Sequence, residues 1–114
     1  MPRPGELIID ERREGETVVL GLAGELDIAT AGSVEAAVER ARAAGVQRLV
    51  LELRELEFLD STGIQAVLRA DLASREERFE LVVVRGPRAV ERLFTLLELH
   101  ERLTVVDDPD ALLA

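Results

Sequence analysis

Apolar residues along the chain fall into strand-like and helix-like stretches that alternate from one end to the other. Glu6 to Arg13 holds Leu7, Ile8 and Ile9, and Glu16 to Leu22 holds Val18, Val19 and Leu20. Glu14-Gly15 between them is a short turn in which glycine accepts a positive φ, so the two runs predict a hairpin. Gly24 is read as the end of the second strand. The polar stretch Glu25-Leu26-Asp27-Ile28-Ala29-Thr30 follows, with side-chain oxygens suited to opening a helix. From Ser33, Val34, Ala37, Val38 and Ala41 recur at i, i+3, i+4 and i+7, which is one face of a helix. Gly45 stands where a left-handed residue closes such a helix.

Gln47 to Arg54 alternates, with Leu49, Leu51 and Leu53 on one face and Val50, Glu52 and Arg54 on the other. Leu56, Phe58 and Leu59 are read as a partly buried approach to Asp60-Ser61-Thr62-Gly63. Ile64, Val67, Leu68 and Leu72 then mark a second amphipathic helix to about Arg75. Glu80 to Val84 is nearly all apolar, as a central parallel strand should be. Pro87 suits a first helical position, and Val90, Leu93, Phe94 and Leu97 supply a third apolar face. Thr104 to Val106 predicts a short last strand, and Asp108-Pro109 a final helical turn ending in Leu112 and Leu113. Repeated strand-helix-strand units imply crossovers onto a parallel sheet. The prediction is one α/β domain over residues 1–114, with a mixed, mostly parallel sheet of four to five strands and about four helices.

Composition narrows the chemistry. The chain has 114 residues, enough for one core. It has no cysteine and one histidine, His100. Disulfides, thiolate metal sites, cysteine nucleophiles and a histidine pair for zinc are therefore excluded, and no metal or other cofactor is expected. The formal charge is −9, and every basic residue is arginine. Such a charge opposes sequence-independent attraction to nucleic acid or anionic lipid. Uncharged runs such as Thr17 to Gly24 are far too short to span a bilayer, and no basic start precedes an apolar stretch. The expected compartment is the cytoplasm, with neither nucleic acid nor membrane as a partner.

Enzymatic readings fare poorly. Asp60-Ser61-Thr62-Gly63 loosely echoes the aspartic-protease triplet, but it carries an extra residue, occurs once and opens a helix, whereas a carboxylate dyad needs two facing loops. A phosphate loop needs a lysine, and the chain has none. His100 follows a helix alone and is expected to cap carbonyls or face solvent. No catalytic residue is assigned.

Asp60 to Ile64 remains. Its ordinary role is to start a helix, and Thr62 with Gln65 has the spacing of a capping box. Yet two adjacent hydroxyls exceed what one cap needs, and the segment follows the carboxyl end of a parallel strand, where α/β folds carry their working loops. A helix N-terminus also accommodates a phosphate.

The segments Gly24-Glu25-Leu26-Asp27-Ile28-Ala29-Thr30-Ala31, Phe58-Leu59-Asp60-Ser61-Thr62-Gly63-Ile64, and Val90 to Asp107 with Arg92-Leu93-Phe94 and Leu97 resemble the STAS-domain anti-sigma factor antagonists in order and spacing. The resemblance covers essentially the whole chain, and the second segment is its most specific part. One departure is Gln65, where members of that family often carry a second glycine. The resemblance implies a non-enzymatic partner switch. Unphosphorylated, such a protein binds an anti-sigma factor serine/threonine kinase and so releases a sigma factor. The kinase then phosphorylates the serine after the aspartate, Ser61 here, and a metal-dependent serine phosphatase restores it. The partner surface expected around Ser61 comprises Asp27, Asp60, Thr62, Gly63 and Ile64. The Asp27 loop is expected beside Ser61, and Thr62 is expected to turn its hydroxyl toward the helix while Ser61 points outward. Similar domains also serve as scaffold parts of stress-signalling assemblies, as cytoplasmic tails of anion transporters and as small subunits of lipid-transport systems, so an interaction module without a phosphoswitch is the alternative.

Overall fold

The computed structural model describes residues 1–108. In chain order the elements are β1 (Leu7–Glu14), β2 (Thr17–Leu26), α1 (Ala31–Ala43), β3 (Arg48–Leu59), α2 (Ser61–Glu77), β4 (Glu80–Val84), α3 (Arg88–Leu96), a 3-10 turn at Leu99–Glu101, and β5 (Thr104–Val106). The described residues thus hold three α-helices. The further helical turn expected after Asp108 falls on residues 109–114, outside those described. The sheet runs β1-β2-β3-β4-β5, with β1 antiparallel to β2 and every other neighbouring pair parallel.

Because each parallel connection steps to the next strand in the same direction, right-handed crossovers stack every helix on one face of the sheet. The main core accordingly joins Leu20, Leu22, Leu49, Leu51, Leu53 and Val83 to Val34, Ala37, Val67, Ala70 and Phe94 from the helices. Fully burying one such leucine contributes about 1.5–3 kcal/mol. The opposite face carries a separate buried cluster of Val19, Val50, Val82 and Val84. β4 is buried on both faces, which explains its unbroken valine run. The outer edge of β1 exposes Asp10, Glu11, Arg12, Arg13 and Glu14, a charged border that discourages pairing with another strand.

Two strands differ from the sequence prediction for one reason. Residues Gly21 and Ala23 of β2 face Glu52 and Glu55 of β3, and Gly24 and Glu25 face Leu56 and Phe58. At each place β3 contains one residue more than its partner, so it bulges twice. The inward leucines change from a spacing of two (Leu49, Leu51, Leu53) to a spacing of three (Leu53, Leu56, Leu59), and all remain buried. A strand whose alternation breaks looks finished at Arg54, yet β3 continues to Leu59. Gly24, likewise, does not end β2. It lies within the strand at φ +111°, and a Cβ there would stand 2.2 Å from the Glu6 carbonyl oxygen. That oxygen accepts from Glu25 N at 2.9 Å, so the close approach belongs to the pairing with β1.

Away from the sheet, the buried Asp71 carboxylate accepts from Arg75 Nε and Arg102 Nε, each at 3.1 Å, and ties α2 to the segment before β5. His100 is exposed, as expected, but it also makes contacts of its own. Its Nε2 pairs with Glu91 Oε1, and its ring lies 6.0 Å from that of Phe94. The 3-10 turn brings it back against α3, which is why a terminal capping role is lost.

Gly24→Ala should destabilise the domain by about 2–4 kcal/mol, combining left-handed strain with a backbone clash. Urea unfolding should show a lower midpoint at an unchanged slope.

Candidate functional site

The segment that the sequence singles out lies where β2 and β3 end together. Leu26 pairs with Leu59 at the last rung, and Asp60 N donates to the Leu26 carbonyl at 3.2 Å. This bond turns the chain from β3 into α2. Asp60 has extended backbone angles (φ −110°, ψ −175°) and is the N-cap of α2. Its Oδ1 accepts from Gly63 N at 3.0 Å, while its carbonyl accepts from Ile64 N at 3.0 Å.

This arrangement corrects the expected capping box. The helix starts at Ser61, too early for Thr62 to be its cap, and the carboxylate of Asp60 already satisfies the N–H that a cap must reach. Among the described residues neither the Ser61 nor the Thr62 hydroxyl is engaged in a hydrogen bond. What separates the two is burial: Ser61 is exposed and Thr62 is half-buried. Ser61 therefore stands in the first turn of a 17-residue helix, near free N–H groups and the positive end of the helix dipole.

Gly63 and Ile64 lie beneath this surface. Ile64 is buried in the main core. A Cβ on Gly63 would come within 2.6 Å of Leu59 Cδ1 and 2.8 Å of both Leu26 Cγ and the Leu26 carbonyl oxygen. Both residues thus shape the site from below, and neither offers a side chain to a partner. Gln65, the departure from the family pattern, is exposed one turn from Asp60.

The Asp27 loop leaves β2 immediately after Leu26, so the structure brings it beside Asp60. Asp27 Oδ1 accepts from Ala29 N at 2.9 Å and Thr30 N at 3.2 Å, and the Asp27 carbonyl accepts from Ala31 N at 2.8 Å. Thr30 Oγ1 locks the turn by donating to the Glu25 carbonyl at 2.8 Å and accepting from Asp27 N at 3.0 Å. Asp27 therefore holds the turn that leads into α1, the structural role available to it, and leaves its second carboxylate oxygen unused by that turn. The turn projects Ile28 into solvent at 80% exposure, and Phe58 nearby on β3 is 48% exposed. Sequence reasoning missed both. Ile28, an apolar residue within a polar turn, carried a usable signal, and Phe58 lies at an even position, opposite in alternation to Leu49, Leu51 and Leu53.

The chemistry this end of the sheet can perform is recognition. It offers a free hydroxyl at a helix start, two carboxylates committed to turns, and two exposed apolar side chains. Among the described residues no three histidine, aspartate or glutamate side chains gather as metal ligands, and no helix is long and apolar enough to cross a membrane.

Solved structures share this architecture. An anti-sigma factor antagonist from Mycobacterium paratuberculosis superposes with a TM-score of 0.84 at 24% identity, covering 99% of this chain and 96% of that one. SpoIIAA, an anti-sigma factor antagonist, matches in its unphosphorylated form with a TM-score of 0.71 at 20% identity, over 93% of this chain and 92% of that one. The phosphorylated form, described as a Bacillus cell fate determinant, matches with a TM-score of 0.73 at 21% identity, over 92% and 96%. The family model described as "Mlab, STAS domain" matches residues 9–107, and on that match the chain belongs to the STAS domain family.

Proposed function

We propose that the protein is a cytoplasmic anti-sigma factor antagonist switched by phosphorylation of Ser61. In the unphosphorylated state it binds an anti-sigma factor serine/threonine kinase and frees the sigma factor. Phosphorylation by that kinase ends the association, and a serine phosphatase resets it. The chain acts by binding and catalyses nothing itself. The observation that carries this reading is the free, exposed Ser61 hydroxyl beside an N-cap already supplied by Asp60. Because the helix does not use that hydroxyl, a phosphate can be added without removing any bond the fold depends on. SpoIIAA matches this chain in both its unphosphorylated and its phosphorylated form, which supports the tolerance required.

The energetics suit a switch. A phosphate brings about −1.5 to −2 charge at neutral pH. At roughly 6 Å from a carboxylate, with an effective dielectric of 20–80, it costs about 1–5 kcal/mol. In the free protein, water and the helix end relieve most of that. In a closed interface they cannot, and each 1.4 kcal/mol, roughly, is tenfold in affinity.

A second reading keeps the fold and drops the phosphoswitch, making the chain an interaction module of another complex, such as a lipid-transport or stress-signalling assembly. The observation in its favour is the match to a family model that carries the Mlab description.

Immobilised protein should capture its partner kinase, identifiable by mass spectrometry. With ATP, that kinase should label Ser61 and not Thr62, as read by tandem mass spectrometry. Ser61→Ala should remain folded, resist labelling and stay bound in the presence of ATP. Ser61→Asp should bind more weakly than wild type, though one carboxylate carries less charge than a phosphate. Label on Thr62 would overturn the choice of acceptor, and binding indifferent to ATP with neither hydroxyl modified would favour the module reading.

Asp27→Asn keeps an oxygen to accept from Ala29 N and Thr30 N, so thermal stability should hardly change. Loss of the charge should weaken kinase binding by roughly tenfold if Asp27 faces the partner. Asp27→Ala removes the acceptor as well and should lower stability by about 1 kcal/mol. Calorimetric titration of the three proteins separates the two contributions, and equal affinity of Asp27→Asn and wild type would remove Asp27 from the interface.

A further inference from the structure

The outer ridge of α3 differs from the rest of the surface. Nine of the fourteen arginines, Arg85 on the segment before α3 among them, form ion pairs with the plentiful carboxylates. Arg88 and Arg92 form none among the described residues. They stand one helical turn apart, with Leu96 a further turn along, so the three make a stripe down one side of α3. Leu96 is 74% exposed.

Beside the stripe, between α3 and the end of β3, lies a hollow of about 310 Å³. Phe58, Leu59, Val90 and Leu93 line it, Leu96 and Arg92 form its α3 rim, and Glu57 stands on the β3 wall. A hollow this size takes two or three apolar side chains, and large apolar groups left at its rim mark a recognition surface. The charges choose the partner. On a chain of net charge −9, the unpaired guanidinium of Arg92 on the rim and that of Arg88 one turn away on the same ridge select carboxylates, and Glu57 on the other wall sets the direction in which those carboxylates must face. Phosphate polymers and anionic membranes would gain from the arginines but leave the apolar hollow unfilled.

We infer that this groove docks an acidic amphipathic helix of a partner protein. Its leucine or phenylalanine side chains enter between Phe58 and Leu96, and its carboxylates, one turn apart, meet Arg88 and Arg92. The groove begins at Leu59, immediately before Asp60 and Ser61, but its occupation requires no phosphorylation and stands apart from the switch proposed above.

The test uses the full chain, ¹⁵N-labelled, and a short synthetic helical peptide with a leucine face flanked by glutamates. A control peptide replaces each glutamate with lysine. Amide shifts on adding the acidic peptide should cluster at Phe58, Val90, Arg92 and Leu96, and the lysine peptide should bind at least roughly tenfold more weakly. The double variant Arg88→Glu, Arg92→Glu should reverse that preference, and Leu96→Ser should weaken the acidic peptide. Arg78→Glu, which alters another arginine without an ion pair at the far end of α2, should change nothing. All four positions are exposed, and circular dichroism melts verify the fold. Equal binding of both peptides, or shifts outside the groove, would overturn the inference. So would concentration-dependent dimerisation abolished by Leu96→Ser, which would make a second copy of the chain the occupant.

Discussion

The arrangement of the site depends on how closely the first turn of α2 sits on the ends of β2 and β3. At Gly63 that approach leaves no room for a methyl group, because Leu59, Leu26 and the Leu26 carbonyl already occupy the space. Overpacking at such a place forces side chains off their rotamers or moves the backbone, at about 1–3 kcal/mol. The helix can come down onto the strand ends only because residue 63 has no side chain. That contact, together with the bond from Asp60 N to the Leu26 carbonyl, holds the Asp60 turn against the exit of β2. Consequently the Asp27 loop and the Ser61 turn share one surface. Their common support is the Leu26–Leu59 rung.

The bulges of β3 serve the same end. Without the two additional residues, strict alternation would turn either Leu56 or Leu59 out of the core. With them, both leucines stay buried while Phe58 remains exposed. Bulges commonly re-aim side chains next to functional surfaces. Here they provide an apolar wall that Ser61 borders on one side and α3 on the other. The glycine at position 24 has a matching role on the neighbouring strand, where it lets β2 continue past a tight contact with β1 and reach Leu26.

These features mark what could be read from the amino-acid pattern. β4 and β5 appear in the sequence with their true limits, since each is a short valine-rich run that opens on a polar residue and is closed by a charged one, Arg85 or Asp107. The faces of β3 up to Leu53 were equally legible through the alternation of Leu49, Leu51 and Leu53. From Leu53 onward the pattern has a period of three, which belongs to neither a regular strand nor a full helix, and only the pairing with β2 explains it. The location of Ser61 at a helix start was legible from residue types, whereas the identity of the cap was not. Asp60, Ser61 and Thr62 can all cap, and the choice is made by the tertiary bond that sets Asp60 in an extended conformation. The groove beside α3 was invisible for the same reason, as it joins residues from two distant segments.

That choice of cap makes the stability of the helix start independent of the neighbouring hydroxyls. Had Thr62 or Ser61 supplied the first hydrogen bond of α2, adding a phosphate would remove a bond worth about 1 kcal/mol and loosen the helix that supports the surface. Because Asp60 supplies it, the helix start keeps its bond whatever happens at the neighbouring hydroxyl. The helix dipole and the free N–H groups of the first turn even favour a negative group there, which partly offsets repulsion from the Asp60 carboxylate. Modification of Ser61 would therefore change the charge of the surface and leave its shape in place. A partner that matched the shape would then meet a charge it had not been selected for, and the discrimination would lie wholly in the interface.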